Sequence, residues 1–281
     1  MSPTSSTAPS AHAEFRRLHE SGCFMLPNPW DVGSAVYLWK LGFQALASTS
    51  AGFAFSRGAP DDVGSVPRDA VLQHLRELVA ATPLPVNADF QNGYADDLEG
   101  LAANVTACVR TGVAGLSIED ASGNDAKPLY ERAPAIERVR TARAAIDDTK
   151  VPVVLTARCE AFLVGDPNAA RTALDRLPEF AAAGADCLYA PGVKDLATIE
   201  AIVRAVAPKP VNVLMSGPVP GLTFATLRDA GVRRISVGGA LARAAWGGFM
   251  RAARMMAEGQ SFEGFADAAS FAELNDTFRK Q

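Results

Sequence analysis

LPVNADFQNGY (84–94) and TGVAGLSIED (111–120) decide how this chain folds. The first is a short apolar run led by a proline, the second a similar run led by a glycine. Proline at the first residue of a strand removes no ladder hydrogen bond, and glycine just past a helix takes the left-handed conformation cheaply. Both phrases recur. Glycine leads LGFQALASTS (41–50), AGADCLYAPG (183–192) and AGVRRISVGG (230–239); proline leads VPVVLTAR (151–158) and KPVNVLMSG (209–217). From Gly42 onward the two alternate without a break, which gives seven strands, and CFMLPNPWD (23–31) supplies an eighth apolar run in front.

Between these runs lie segments of helical period, such as Leu98, Leu101, Val105 and Cys108, or Ile199, Ile202, Val203 and Val206 behind a capping Asp195. Nearly continuous apolar strands are those covered on both faces. Eight of them separated by helices predict an α/β fold of the (β/α)8 TIM-barrel type rather than an open doubly wound sheet, because no linker or composition break interrupts the series. Residues 1–11 are expected to be a loose, disordered tail, 12–258 the barrel, and 259–281 a helical extension. There Phe262, Phe265, Phe271, Leu274 and Phe278 recur at helical spacings, apolar surface that a homo-oligomer, dimer or tetramer, would cover.

The chain carries 27 Lys+Arg against 31 Asp+Glu, a net charge of −4, with no basic stripe interleaved with aromatics, so no nucleic-acid partner is expected. Its four cysteines are far apart and form no CxxC pair, which signals neither zinc nor a disulfide framework and suits a reducing, cytoplasmic setting. No basic segment followed by an apolar stretch opens the sequence, and no apolar run reaches the ~18 residues of a membrane span, so neither export nor a membrane partner is expected.

In a parallel barrel the carboxyl ends of the strands share one face, where catalytic groups gather. Here those ends read STS (48–50), NADFQN (87–92), IED (118–120), TARCE (156–160), NVLMSG (212–217) and SVGG (236–239). Asp89, Glu119 and Asp120, with Asp61 from the connection after the second strand, are expected to present three or four carboxylates to one point, an oxygen-only set that suits Mg2+ or Mn2+. Arg158 ends an apolar run and must meet an anion, either a substrate carboxylate or the side chains of Glu119 and Glu160. Asn212 binds the same anion or satisfies a turn. Gly238 and Gly239, before a helix, suit a bound phosphate or close helix packing. His12, His19 and His74 all fall outside the strand ends, so histidine base chemistry is not expected.

PNPWDVGSA (27–35), STSAGFAFSRGAPD (48–61), NADFQNGY (87–94), AGLSIED (114–120), TARCEAF (156–162) and VNVLMSGP (211–218) resemble, in order and spacing, the isocitrate lyase and phosphoenolpyruvate mutase superfamily. The resemblance runs from about Phe24 to Leu241. It implies a Mg2+-dependent (β/α)8 barrel, usually a tetramer with an exchanged last helix, that acts on small 2-oxo or 2-hydroxy acids through an enolate-like intermediate. It places the metal on Asp61, Asp89 and Glu119, and the substrate on Ser48, Thr49, Ser50, Arg158 and Asn212.

Three departures bear on the chemistry. The first acid of the superfamily's D-x-D is Asn87 here, and a related ENGY form would have glutamate at Gln91. The lyases' loop K-K-C-G-H is replaced by DASGNDAKPLYER (120–132), which lacks cysteine and histidine and so disfavours an isocitrate or methylisocitrate lyase. Asn124 on that loop is either the asparagine that mutase and phosphonopyruvate hydrolase members use, or a turn residue. The expected function is therefore a Mg2+-dependent lyase or hydrolase that cleaves a carbon–carbon bond of a small (di)carboxylate. Glu160, Tyr94 and Tyr130 are the candidates for general acid or base. The alternatives are carbon–phosphorus chemistry and a weakly catalytic oxo-acid binder.

Overall fold

A computed structural model describes residues 10–279. Eight parallel strands, β1 (Phe24–Leu26), β2 (Leu46–Ala47), β3 (Val86–Asp89), β4 (Gly115–Glu119), β5 (Val154–Arg158), β6 (Cys187–Tyr189), β7 (Val211–Leu214) and β8 (Arg234–Ser236), pair in the order β1-β8-β7-β6-β5-β4-β3-β2. Seven of these are the runs that the glycine and proline phrases mark, and β1 is the eighth run in front of them. Gly42, Gly112, Gly184 and Gly231, which lead four of them, all have left-handed φ angles between 88° and 107°. The seam between β1 and β2 is bridged by the Ala47 amide donating to the Pro27 carbonyl at 3.0 Å. Asn28 reinforces it: its Nδ2 donates to the Ser48 carbonyl at 2.8 Å, while its Oδ1 accepts from the Val237 and Gly238 amides at 3.0 and 2.8 Å.

Helices α1 (Ala11–Glu20), α2 (Val32–Lys40), α3 (Ser50–Ser56), α4 (Arg68–Ala81), α5 (Leu98–Val109), α6 (Arg132–Asp148), α7 (Ala169–Ala182), α8 (Leu196–Val206), α9 (Phe224–Asp229), α10 (Ala240–Gly259) and α11 (Phe271–Phe278) complete the described chain. Of the expected tail, residues 1–9 lie outside the described residues; Ser10 already caps α1, accepting from the Ala13 amide at 3.2 Å. No helix among the described residues is long and apolar enough to cross a membrane.

Strand register sorts the barrel interior into layers, because alternate residues face inward. Arg158 stands beside Glu119 and Tyr189, Asn212 beside Tyr189 and Arg234. The bottom layer is apolar, with Phe24, Ala45 and Val154 around Phe15, which α1 inserts from below and which is fully buried. Gly115 makes room for that ring: a Cβ there would stand 2.5 Å from it. Above lie Asn87, Ser117, Thr156, Asn212 and Arg234, then Asp89, Glu119, Arg158 and Tyr189. Barrel interiors are usually filled by Val, Ile and Leu. Here a cavity of about 140 Å3 runs from Asp61 at the rim down to Arg234.

Beyond the barrel, α11 lies back on α2, with the Phe278 ring 3.7 Å from where a Cβ on Gly33 would be. Phe249, Phe262 and Phe271 remain 62, 75 and 89 % exposed.

Candidate active site

The turn after β3 explains the polar crowding of NADFQNGY. Gln91, Gly93 and Tyr94 all adopt positive φ, 43°, 84° and 55°, which folds the chain sharply back over the strand end. Such conformations persist where surrounding structure over-determines them. Asn104 on α5 donates to the Gly93 and Tyr94 carbonyls at 2.9 and 3.0 Å. Arg138 on α6, buried, donates to the carbonyls of Asn92, Ala95 and Asp96 at 2.5, 2.7 and 3.0 Å. Asn92 and Asp97 serve the backbone, the first accepting from the Tyr94 amide and the second capping α5. Asp89 and Gln91 are left to face the mouth.

Arg158 is the centre of that mouth. Its Nε donates to Glu160 at 2.8 Å, its Nη2 to the same carboxylate at 3.2 Å, and its Nη1 meets Asp89 at 2.7 Å and Glu119 at 2.8 Å. The guanidinium also lies over the Tyr189 ring, 5.1 Å from its centroid. Burial alone would lower the arginine's pKa, but Glu119, Glu160 and Asp89 outweigh it and hold the charge firmly. The carboxylates feel the reverse. Burial, opposed by Arg158 and reinforced by Glu160, Asp89 and Asp61, pushes Glu119 well above the usual range. Burial, against the pull of Arg158, raises Glu160 as well. Asp61, at the exposed rim, is raised by partial burial of its carboxyl and by the negative charge of Asp89. Three carboxylates thus share one cation, and Asp61 adds a fourth negative group at the rim.

The substrate-binding expectations land on the same network. Ser48 Oγ accepts from the Asp89 amide at 2.8 Å, and the Ser50 amide, at the start of α3, donates to Asp89 Oδ2 at 2.9 Å. Thr49 caps α3, accepting from the Gly52 amide at 3.2 Å. All three line the cavity with Asp61, Asp89, Arg158 and Asn212. Asn212 lies one layer down: its Nδ2 donates to Ser236 Oγ at 2.9 Å and its Oδ1 accepts from Arg234 Nε at 2.8 Å, so it satisfies neighbours in the barrel rather than a turn.

Other expectations are corrected. Asp120 alternates away from Glu119 and leaves the mouth; it accepts from the Glu160 amide at 2.7 Å and from Arg176 at 2.8 Å, and so fixes the turn that carries Glu160. The Val237 and Gly238 amides are taken by Asn28, and a Cβ on Gly239 would stand 3.3 Å from Ala51, so these glycines serve close packing. Asn124 lies on the outer mouth near Asp61, Glu119 and Glu160, where its Oδ1 accepts from the Ala126 amide at 2.9 Å. His74 comes nearer than its place on α4 implied, stacked on Phe53 at 4.0 Å beside a small pocket that Asp89, Gln91 and Tyr94 also line. Burial raises Tyr94 far above a usual phenol and pushes Tyr189 up to about 12. Tyr130 Oη is buried and finds no partner among the described residues.

Sequence reasoning missed Arg138, Arg176 and Arg234. Each is a charged residue whose inward direction depends on tertiary register, and only the apolar context of Arg234 in RRIS carried a signal. As they stand, no three acidic, histidine or cysteine side chains among the described residues form a metal-ligating group. Arg158 lies between Asp89 and Glu119 instead. The donor set is nevertheless all oxygen and carries more negative charge than Arg158 neutralises, which fits a hard divalent cation.

The family model for phosphoenolpyruvate phosphomutase matches residues 15–257. A crystal structure of a Burkholderia cenocepacia protein, provisionally assigned as a lyase or mutase, is 44% identical and superposes with a TM-score of 0.91 over 95% of this chain and 96% of that one. An uncharacterized protein of Mycobacterium tuberculosis is 32% identical over 247 residues, 88% of this chain and 90% of its own length. The 2-methylisocitrate lyase of Escherichia coli is 28% identical over 210 residues, 72% and 69% of the two chains. With a matching barrel and a family model that spans most of its length, this chain belongs to the phosphoenolpyruvate phosphomutase family, within the isocitrate lyase and phosphoenolpyruvate mutase superfamily.

Proposed function

We propose that the protein is a divalent-metal-dependent lyase or hydrolase that cleaves a carbon–carbon bond of a small 2-oxo or 2-hydroxy (di)carboxylate through an enolate-like intermediate. One observation carries this reading: Asp89, Glu119 and Glu160 gather around a single cation, Arg158, with Asp61 on the rim, at the mouth of a cavity of about 140 Å3. That volume is below the ~300 Å3 at which drug-sized pockets begin, so it suits an acid of a few carbons. The relationship to a 2-methylisocitrate lyase supports the reaction class.

Asp61, Asp89 and Glu119 would hold Mg2+ or Mn2+. When bound, the ion supplies a Lewis acid that stabilises the enolate charge left by bond cleavage. Arg158 pairs with the substrate carboxylate when Glu160 and Asp89 release it, and the Ser50 amide and Ser48 hydroxyl orient the same end. Glu160, its carboxyl kept protonated more readily by burial, holds and returns a proton at the reacting carbon. Leu163 and Tyr189 shield the cavity from water.

The exposed phenylalanines beyond the barrel support a homo-oligomer, and four free cysteines support a reducing, cytoplasmic location. Asn87, which adds no negative charge beside Asp89, favours a second reading, an oxo-acid binder with little turnover. Carbon–phosphorus chemistry draws support from the family's name and requires a role for Asn124.

Thermal stabilisation by oxalate, an enolate mimic, with and without Mg2+, tests the reading together with pyruvate and oxalate release from oxaloacetate and substituted malates. A metal-dependent shift and product formation are expected. Binding without product selects the binder, and product from phosphonopyruvate alone selects carbon–phosphorus cleavage.

A further inference from the structure

Arg234 is a full positive charge inside the barrel with no carboxylate beside it. It is 2 % exposed and makes no ion pair among the described residues. Its contacts are neutral: Nε donates to Asn212 Oδ1 at 2.8 Å, Nη2 to Thr156 Oγ1 at 3.0 Å and Nη1 to His19 Nε2 at 3.2 Å. Arginine can only donate, and so can the His19 Nδ1–H that meets the Phe15 carbonyl at 2.7 Å, which fixes the imidazole as the neutral tautomer. Three of the five guanidinium N–H groups are thereby used, and two have no acceptor among the described residues. A buried charge without a counter-ion is strongly unfavourable, and structures normally pair one.

A second observation points to the same place. Asn87, 3 % exposed and lining the cavity, donates from Nδ2 to the Ala88 carbonyl at 3.1 Å, while its Oδ1 is buried without a partner among the described residues. The superfamily's acid at this position would be a negative charge on the same cavity wall. Asparagine leaves Arg234 with no such competitor, and an amide that rotates to donate as readily as it accepts.

We propose that Arg234, with Asn212, Ser236 and Asn87, forms a second anion subsite at the floor of the cavity that takes the distal carboxylate of a dicarboxylate substrate. The acid then lies along the barrel axis, with its reacting end at Asp89, Glu119 and Arg158 and its far end on Arg234. This deepens the proposed function and rests on it.

The test is calorimetric binding with Mg2+ of paired acids that differ by one terminal carboxylate, malate against lactate and 2-oxoglutarate against 2-oxobutyrate, with oxalate as a probe of the mouth alone. In the wild type at least one diacid is expected to bind tenfold or more tighter than its partner. Arg234→Gln should bring the two within about threefold while oxalate still binds, because the far carboxylate loses its charged hydrogen-bond partner. Asn87→Asp, which retains the arginine, should weaken the diacid tenfold by restoring a negative charge in the cavity. Oxalate binding without any diacid preference, or a preference that survives in Arg234→Gln, overturns the subsite and leaves the functional reading standing. Should Arg234→Gln fail to fold, a preference undiminished in Asn87→Asp overturns it. If oxalate fails to bind but an Arg234-dependent diacid preference remains, the functional reading falls and the subsite stands; if nothing binds, both fall.

Discussion

Arg158 is held by three carboxylates, so its loss leaves several buried negative charges facing one another. Arg158→Ala should destabilise the protein by about 3–5 kcal/mol in denaturant titration without divalent ion, and Mg2+ should recover part of it. Arg158→Lys should rescue poorly, because an ammonium cannot reproduce the guanidinium's fork. A variant as stable as the wild type would mean that the network contributes nothing. Two histidines set the acid limit. Burial pushes His19 down to about 3 and His74 to about 4, from 6.5 in the unfolded chain. Between those values the unfolded state binds more protons, so stability is full above pH 6.5 and falls as pH drops. At pH 5 each histidine should cost about 2 kcal/mol. His74→Phe keeps the stack on Phe53, removes an Nε2 that has no partner, and should flatten the pH dependence of the urea midpoint. An unchanged slope would contradict it. At this scale the sequence was partly legible. Asp61, Asp89, Glu119, Arg158 and Glu160 stood out because strand ends must converge. Asp120 did not separate from Glu119, nor Arg234 from Arg233, because one residue of register decides which side chain enters the barrel.

The alternating glycine and proline phrases made the elements readable, since both residues report backbone constraints that hold wherever a helix ends or a strand begins. What they hid was α1. AHAEFRRLHE reads as a polar surface helix, yet Phe15 fills the barrel floor against Gly115. Gly115→Ala should cost about 1–3 kcal/mol by overpacking, and Phe15→Ala ~3–5 kcal/mol by opening a cavity. Both are measured by thermal unfolding, and a neutral Gly115→Ala would show that α1 shifts freely. The β3 turn was legible as polar, but its clamp was not. Arg138→Met should lower the melting temperature and release the Gln91–Tyr94 turn, read as faster amide exchange there, because three carbonyls lose their donor. Unaltered exchange would place the turn's stability elsewhere.

For the whole molecule, the apolar surface on and between α10 and α11 is expected to set the association state. Phe249, Phe262 and Phe271 are too exposed for an isolated chain, and light scattering at micromolar concentration should give a dimer or tetramer. Phe249→Asp combined with Phe271→Asp should yield monomers with an intact barrel, while a monomeric wild type would remove the argument. The plug beneath the barrel has a further consequence. Phe15 and His19 pack beneath the layer that floors the cavity, His19 directly against Arg234, through a helix that contributes nothing to the mouth. On the proposed function, descendants of this chain are free to retune the length of acid they accept by point changes in their first helix, without touching the residues proposed to break the bond. Divergence of substrate range within such a lineage would then be written in α1, where a comparison confined to strand ends never looks.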